Sequence, residues 1–503
     1  WTDQTVRTGR TSRTDLTVHT GRIGVVEIGG IEPVPESERH GRPLGLFWMW
    51  FGANLGVLGI TLGAALVTFS GLNIAQALLV SLVGAAGSFL LGGLVSTAGK
   101  RGGAPGLTLS RAVFGVRGNW GPTAISWLGF VGWETVMVTT STFALLAVLD
   151  WFGIPETSAT SGVCVLTTVV VSASVGVFGH ATVMWMQKWL SWVFGALTVL
   201  VVGFLAATVD WSAAFRLPAG SVSDVVSSIG FIAAGTGIGW LAAGPDYARY
   251  LPRQIHAGRI VGATVLGATA PLAVLLPIGA LMAADNPGLA GASDPVAAIG
   301  AALPGWMLLP YLLTAAAGLI AAANVSLYSS GLNLLTCGIR VRRVTAVVVD
   351  SVLITAGAGY ITVVSGDFYG PFTTFLTLLA VPLAGWAAVF LADLARRRDY
   401  DRQALVDVRP GSRYWYHRGL HLPAVGAWLA AIVMGLLCTR AQAGDELWFA
   451  GPFADTWIGR NGLGWLVAAV TGGVLYTTLY PVSNVKSRAT SRTVPGGVEA
   501  GRG

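Results

Sequence analysis

The chain has 503 residues, 53% of them hydrophobic and only 11% charged, with a mean hydropathy of +0.66 and a formal net charge of +7. A soluble protein carries about a quarter charged residues, so this composition excludes an ordinary globular domain and puts most of the chain in lipid. The positive charge invites a nucleic-acid surface, but its distribution, taken up below, argues against one.

Residues 1–40 are rich in Thr, Gly and Arg and read as a disordered basic tail. No apolar core of leader length is expected within the first 42. Twelve apolar segments follow, at 46–70, 73–97, 121–149, 161–182, 189–209, 225–247, 258–284, 305–338, 344–364, 371–393, 421–438 and 463–481. With a cytoplasmic amino terminus, 28 of the 31 Lys and Arg fall on the inner side, leaving only Arg216, Arg440 and Arg460 outside. The outer loops carry acids instead, among them Asp150, Asp210, Asp285 and Asp367. That asymmetry is the positive-inside pattern. It predicts an all-α polytopic protein of twelve transmembrane helices in the cell's inner (cytoplasmic) membrane, with both termini cytoplasmic. The expected organisation is a transport core at 41–393, a basic cytoplasmic loop at 394–420, helices eleven and twelve at 421–481 and a cytoplasmic tail at 482–503. The arginines of 394–420 then read as inner-face charge rather than a nucleic-acid patch.

The first segment carries the strongest signal. Gly45, Gly52, Gly56, Gly59 and Gly63 punctuate it, with one polar side chain, Asn54, near its middle. Segment six repeats that grammar in GFIAAGTGIGWLAAGPDYARY from Gly230, with a helix-breaking Gly244-Pro245 near its inner end. Interrupted segments in corresponding positions point to an inverted repeat with a solute site between the breaks. The bland alternative is that these glycines only let helices pack closely.

Six motifs then become recognisable. The run IEPVPESERHGRPLGLFWMWFGANLGVLGITLGA (31–64) resembles the opening of the nucleobase–cation symporter family, the purine–cytosine or cytosine-purine-allantoin permeases. GAPGLTLSRAVFGVRG (103–118), GWET (132–135), DYARYLPR (246–253), LYSSGL (327–332) and YWYHRGLHLPAVGAW (414–428) resemble further family motifs in the same order. The resemblance implies a LeuT-type 5+5 inverted repeat plus two C-terminal helices, with broken helices 1 and 6. It also implies alternating access and uptake of a small heteroaromatic solute with sodium or protons.

Trp133 lies 12 residues into segment three, about 18 Å deep at 1.5 Å per residue. Trp normally sits at the interfaces, and base–aromatic stacking contributes about 1–3 kcal/mol. By resemblance, Trp133 matches the tryptophan that stacks on the substrate ring. Its neighbour Glu134 is the only acid in the interior of the first six helices, Asp246 standing at the inner end of the sixth. A mid-membrane charge costs about 2.5–3.5 kcal/mol, so Glu134 reads as a proton carrier, a hydrogen-bond partner for ring nitrogens, or a helix–helix tie. Met137 stands where a family amide is expected. In segment six, Thr236, Gly237 and Trp240 are expected at the cavity, Gly237 where some relatives carry an aromatic. In segment eight, Asn324 and Tyr328 share a face at i, i+4, and Ser326 competes with Asn324 for the family's amide position. Asn54 completes the candidate substrate-binding set.

By resemblance, sodium-using members hold the ion between carbonyls of broken helix one and a hydroxyl pair on helix eight. Here that stretch, Ala315 to Ala323, has no hydroxyl. Proton coupling through Glu134 and Asp350 is therefore expected over sodium, although Asp350, near Arg342 and Arg343, also suits a structural role. Asp246 beside Arg249 reads as a structural ion pair. No cofactor or metal is expected. Cys164, Cys337 and Cys438 lack metal spacing, and all six histidines lie at or beyond inner helix ends, which speaks against an enzyme. A channel suits two interrupted helices less well than a carrier. Beyond a purine or cytosine, the open cargoes are allantoin, hydantoin, uracil or a vitamin such as thiamine. The oligomeric state is not encoded legibly, and a monomer suffices.

Overall fold

Each of the twelve apolar segments falls on a helix. The computed structural model describes residues 23–24, 30–176, 179–292, 294–338, 343–365, 368–443 and 446–480. Segment one is two helices, α1 (Pro43–Ala53) and α2 (Val57–Thr68), bent by 62° at the residues between them. Then come α3 (Ile74–Gly102), α4 (Gly106–Phe114), α5 (Trp120–Trp151), α6 (Ser158–Gly176), α7 (His180–Thr208) and the short α8 (Trp211–Ala214). Segment six is α9 (Val222–Gly235), a 3-10 turn at Ile238–Trp240 and α10 (Gly244–Ala248). The chain continues through α11 (Ala257–Asp285), α12 (Pro295–Gly300), α13 (Gly305–Thr336), α14 (Arg343–Gly359), α15 (Tyr369–Leu394), α16 (Arg402–Val406) and α17 (Leu422–Leu437). A two-stranded antiparallel hairpin, β1 (Arg440–Ala443) and β2 (Glu446–Ala450), precedes α18 (Trp457–Arg460) and α19 (Gly464–Leu479).

Among the described residues, eight helices are long and apolar enough to cross a bilayer, or nine if the bent pair α1–α2 is one span. Three apolar helices are shorter, at Ser158–Ser174, Leu422–Leu437 and Gly464–Leu479. The short polar stretch after α17 gave no sign of the hairpin, and α4 is a fully buried helix where the sequence reads as an inner loop.

The helices sort into groups. One holds α1, α2, α3, α9, α10 and α11; a second holds α5, α6, α13 and α14; α7 touches both. α15, α17 and α19 pack together alongside. Within the first group, α2 and α11 meet backbone to backbone. Gly63 stands against the Leu276 carbonyl and Gly279 against that of Ile60, so a Cβ at either would overlap the opposing chain. Small residues allow that approach in lipid, where no hydrophobic force draws helices together.

The face where α3 ends and α4 begins is stitched by arginines to backbone carbonyls. Arg111 Nη1 donates to Leu405 (2.9 Å) and Nη2 to Thr336 (2.8 Å). Arg397 pairs with Asp393 at 2.6 Å, and Asp393 also accepts from Tyr476 (2.7 Å). The loop 394–420 is thus fastened to α4, α15 and α19. The expected amino-terminal tail is only partly described, with 1–22 and 25–29 outside the described residues, as is the tail at 482–503. Within its residues 30–40, Val34 and Arg39 are buried while Glu32, Pro35, Glu36, Ser37 and His40 are exposed. Arg39 is 2% exposed and donates to the carbonyls of Val34 (3.0 Å) and Lys100 (2.9 Å). Burial pulls its guanidinium down to about 10, which leaves it charged at neutral pH.

Candidate functional site

The first interruption follows directly from its residues. α1 stops at Asn54, whose φ −110°, ψ 4° leave the helix, and Gly56 restarts it from an extended φ −154°, ψ 160°. Asn54 Nδ2 donates to the Trp50 carbonyl at 2.9 Å and caps the end it terminates. Gly318 of α13 lies against the Leu55 carbonyl. The wall it belongs to, Ala315 to Ala323, offers that carbonyl no side-chain oxygen.

The second interruption is built differently. α9 ends at Gly235, and Thr236 takes φ −125°, ψ −91°. Ser88 of α3 sits beneath the turn. Its hydroxyl accepts from the Gly237 amide and bonds the Thr236 hydroxyl, each at 3.2 Å, while Thr236 also donates to Ile232 (2.7 Å). The Gly237 amide is therefore not free at this break. A Cβ on Gly237 would lie 2.7 Å from the Ser88 carbonyl carbon, so glycine is what the contact with α3 requires.

Around these breaks lie the candidate side chains. Trp133 is 4% exposed, with Phe372 and Phe375 of α15 edge-on to its ring at 5.8 and 6.1 Å. Its indole nitrogen rests against Gly239, just past the second break. Trp240 meets Trp50 edge-on at 5.8 Å and Phe130 at 6.2 Å. Glu134 lies one turn beyond Phe130 on α5 and is fully buried. Neither of its carboxyl oxygens has a hydrogen-bond partner among the described residues. The hydroxyl of Ser326 is directed to the Phe130 carbonyl (3.5 Å). Asn324 is fully buried with both amide atoms unpartnered, as are the indole nitrogens of Trp50 and Trp133. A buried polar group left unpaired costs about 1–3 kcal/mol. Glu134, Asn324, Trp50 and Trp133 thus hold buried polar groups that a polar occupant would satisfy.

Trp50 stands one helical turn before Asn54 on the same face, a spacing legible in the sequence. Met137 is 4% exposed and adds an apolar surface to α5. Two candidates are engaged elsewhere. Tyr328 bonds Arg249 Nη2 (2.7 Å) and the Tyr250 hydroxyl (2.9 Å), and Tyr250 stacks on His180 at 3.7 Å. Its shared face with Asn324 carries it one turn along α13, into this cluster. Asp350 accepts from Trp127 Nε1 and Ser330 Oγ, both at 2.8 Å, which ties α14 to α5 and α13. Asp246 and Arg249 each also bind a backbone group of another element. Asp246 accepts from the Gly106 amide (2.8 Å) at the start of α4, and Arg249 Nη1 donates to the Gly30 carbonyl (2.9 Å).

Comparison with known proteins bears on what this arrangement serves. The chain is 26% identical over 475 residues to the putative purine-cytosine permease YxlA of Bacillus subtilis, covering 90% of this chain and 96% of that one. It is 26% identical over 272 residues to the purine-cytosine permease FCY2 of Saccharomyces cerevisiae, covering 54% and 49%. Its fold matches Mhp1, a nucleobase-cation-symport-1 family transporter solved closed with bromovinylhydantoin bound. The TM-score is 0.71 at 19% identity, over 92% of this chain and 99% of that one. An inward-facing structure of Mhp1 gives 0.69 at 18% identity, over 91% and 94%. The profile of permeases for cytosine/purines, uracil, thiamine and allantoin matches residues 33–467. The chain is therefore a multi-pass membrane transporter of that permease family.

Proposed function

We propose that this chain imports a nucleobase, a purine or cytosine, by alternating access as a proton-coupled symporter. In this reading the twelve segments are twelve spans, with both ends cytoplasmic, in the cell's inner membrane. α1–α2 and α9–α10 are the broken helices 1 and 6 of a LeuT-type 5+5 repeat, and α17 and α19 are the two added helices. The observation that carries the reading is the set of unpartnered groups beside the two breaks: the Glu134 carboxyl, the Asn324 amide and the indole N–H of Trp50 and Trp133. A flat heterocycle matches them, stacking on Trp133 and exchanging ring donors and acceptors with Glu134 and Asn324. Asn54, Thr236, Gly237, Ser326 and Trp240 shape the walls, and Tyr328 acts from the arginine cluster on one side.

Glu134 is the proton carrier in this account, and Asp350 holds α5 and α13 around it. The oxygen-free wall from Ala315 to Ala323 disfavours sodium, which needs a full oxygen shell. The apolar Met137 leaves allantoin, hydantoin, uracil or thiamine as the alternative cargo. Whole-cell uptake tests the reading with radiolabelled cytosine competed by adenine, hypoxanthine, uracil and allantoin, at pH 5.5 and 8, with and without sodium. The expected result is competition by purines, trans-stimulation in counterflow and faster uptake at pH 5.5 without sodium. Strict sodium dependence with no pH response rejects proton coupling, and absence of trans-stimulation rejects the carrier.

A further inference from the structure

A half-open cleft of about 450 Å³ lies between the end of α2, the later turns of α9, α15 and the stretch from the hairpin to α19. Its wall includes Ser228, Phe231, Arg440, Arg460, Asn461 and Trp465, and no acidic side chain among the described residues. Arg460 Nε donates to the Asp455 carbonyl (2.7 Å), and its two terminal nitrogens make no bond among the described residues. Arg440 is matched by Asp455 (3.1 Å) and Gln442 (3.0 Å), which leaves the positive charge with Arg460. Ser228 is 1% exposed, and neither its hydroxyl nor the buried Trp465 indole nitrogen has a partner. Guanidinium and indole nitrogens can only donate, and Arg460 reaches the cleft from its exposed rim, so an occupant held by both brings acceptors and a negative charge. Phe231 and Trp465 add flat apolar walls, and the volume suits a single small ring compound.

We propose that this cavity is a second binding site, for a small heterocyclic carboxylate held by Arg460, Trp465 and Ser228. Its lining shares no residue with the ring contacts of Trp133. On α15, Phe372 and Phe375 face Trp133, while Leu376 and Thr377 line the cavity. The inference takes its sidedness from the topology proposed above, in which Arg440 and Arg460 are two of the three basic residues left outside. A bound carboxylate bridges Ser228 on α9 to Arg460 at the end of α18 and Trp465 on α19. That bridge ties a broken helix to its neighbours and slows transport from the outer side.

The test uses the purified full chain in lipid nanodiscs with orotate as probe, titrated by calorimetry. Wild type is expected to bind orotate saturably. Arg460→Gln and Ser228→Ala should each weaken binding tenfold or more, and Trp133→Ala should leave it unchanged. Added outside, orotate should inhibit cytosine uptake non-competitively. Absence of saturable orotate binding, equal binding by Arg460→Gln, or its loss in Trp133→Ala would overturn the second site. Failure of cytosine uptake in wild type, with orotate binding intact, counts against the transport reading alone.

Discussion

The two helix interruptions look alike in sequence and are held open by different means. At the first, α1 terminates itself: Asn54 caps the Trp50 carbonyl, and Gly56 is extended with its nearest would-be neighbour, Leu319, 3.9 Å from a Cβ. At the second, an outside group does the work, because the Ser88 hydroxyl of α3 occupies the amide and hydroxyl of Gly237 and Thr236. The 62° bend belongs to the self-terminated break. A glycine in a broken helix thus has two meanings, room for a neighbour's backbone or a cheap extended residue, and only tertiary packing separates them.

Substitutions at the two breaks should differ accordingly. Gly237→Ala drives a Cβ into the Ser88 backbone and should cost about 1–3 kcal/mol or more, read as a large loss of thermal stability in detergent. If its melting curve overlays wild type, the second break is not clamped by α3. Glu134→Gln keeps the shape of the site and removes the titrating group. Since protonation loads the carrier in this account, wild-type uptake rises as outside pH falls from 8 to 5.5. The variant should lose that slope, together with most accumulation against a gradient. A retained pH slope would shift coupling to another group. Ser88→Ala leaves the buried Gly237 amide unpaired, a loss of about 1–3 kcal/mol, whereas Ser88→Thr should restore the hydroxyl bond. Gly56→Ala sets the lower bound. Its extended backbone suits any residue, so a change within about 0.5 kcal/mol is expected. A collapse there would make the first break as crowded as the second.

Much of this was legible before any coordinates. Lipid imposes long apolar runs, so the segment positions follow from hydropathy, and Asn54 among glycines marks the first break because an amide there has no helical use. Glu134 and Trp133 are conspicuous because charge and indole are misplaced at that depth. What stayed hidden depends on partners distant in sequence. Ser88 looks like any small helix residue until α9 unwinds above it. Tyr328 shares a face with Asn324, but periodicity fixes direction and not depth, so it sits with Arg249 and Tyr250. Asp350 suggested arginine neighbours by proximity in sequence, whereas its donors, Trp127 and Ser330, come from other helices. The cavity beside Arg460 needed the hairpin, which no periodicity announced.

The central claim is that a flat ring stacks on Trp133 between the two breaks. Equilibrium binding of radiolabelled cytosine and adenine to purified wild type and Trp133→Ala addresses it directly. Loss of about 1–3 kcal/mol of stacking weakens the favoured base by roughly 5- to 150-fold, with Trp133→Phe recovering part of the affinity. Equal dissociation constants for wild type and Trp133→Ala, in protein with an unchanged melting temperature, would contradict the account.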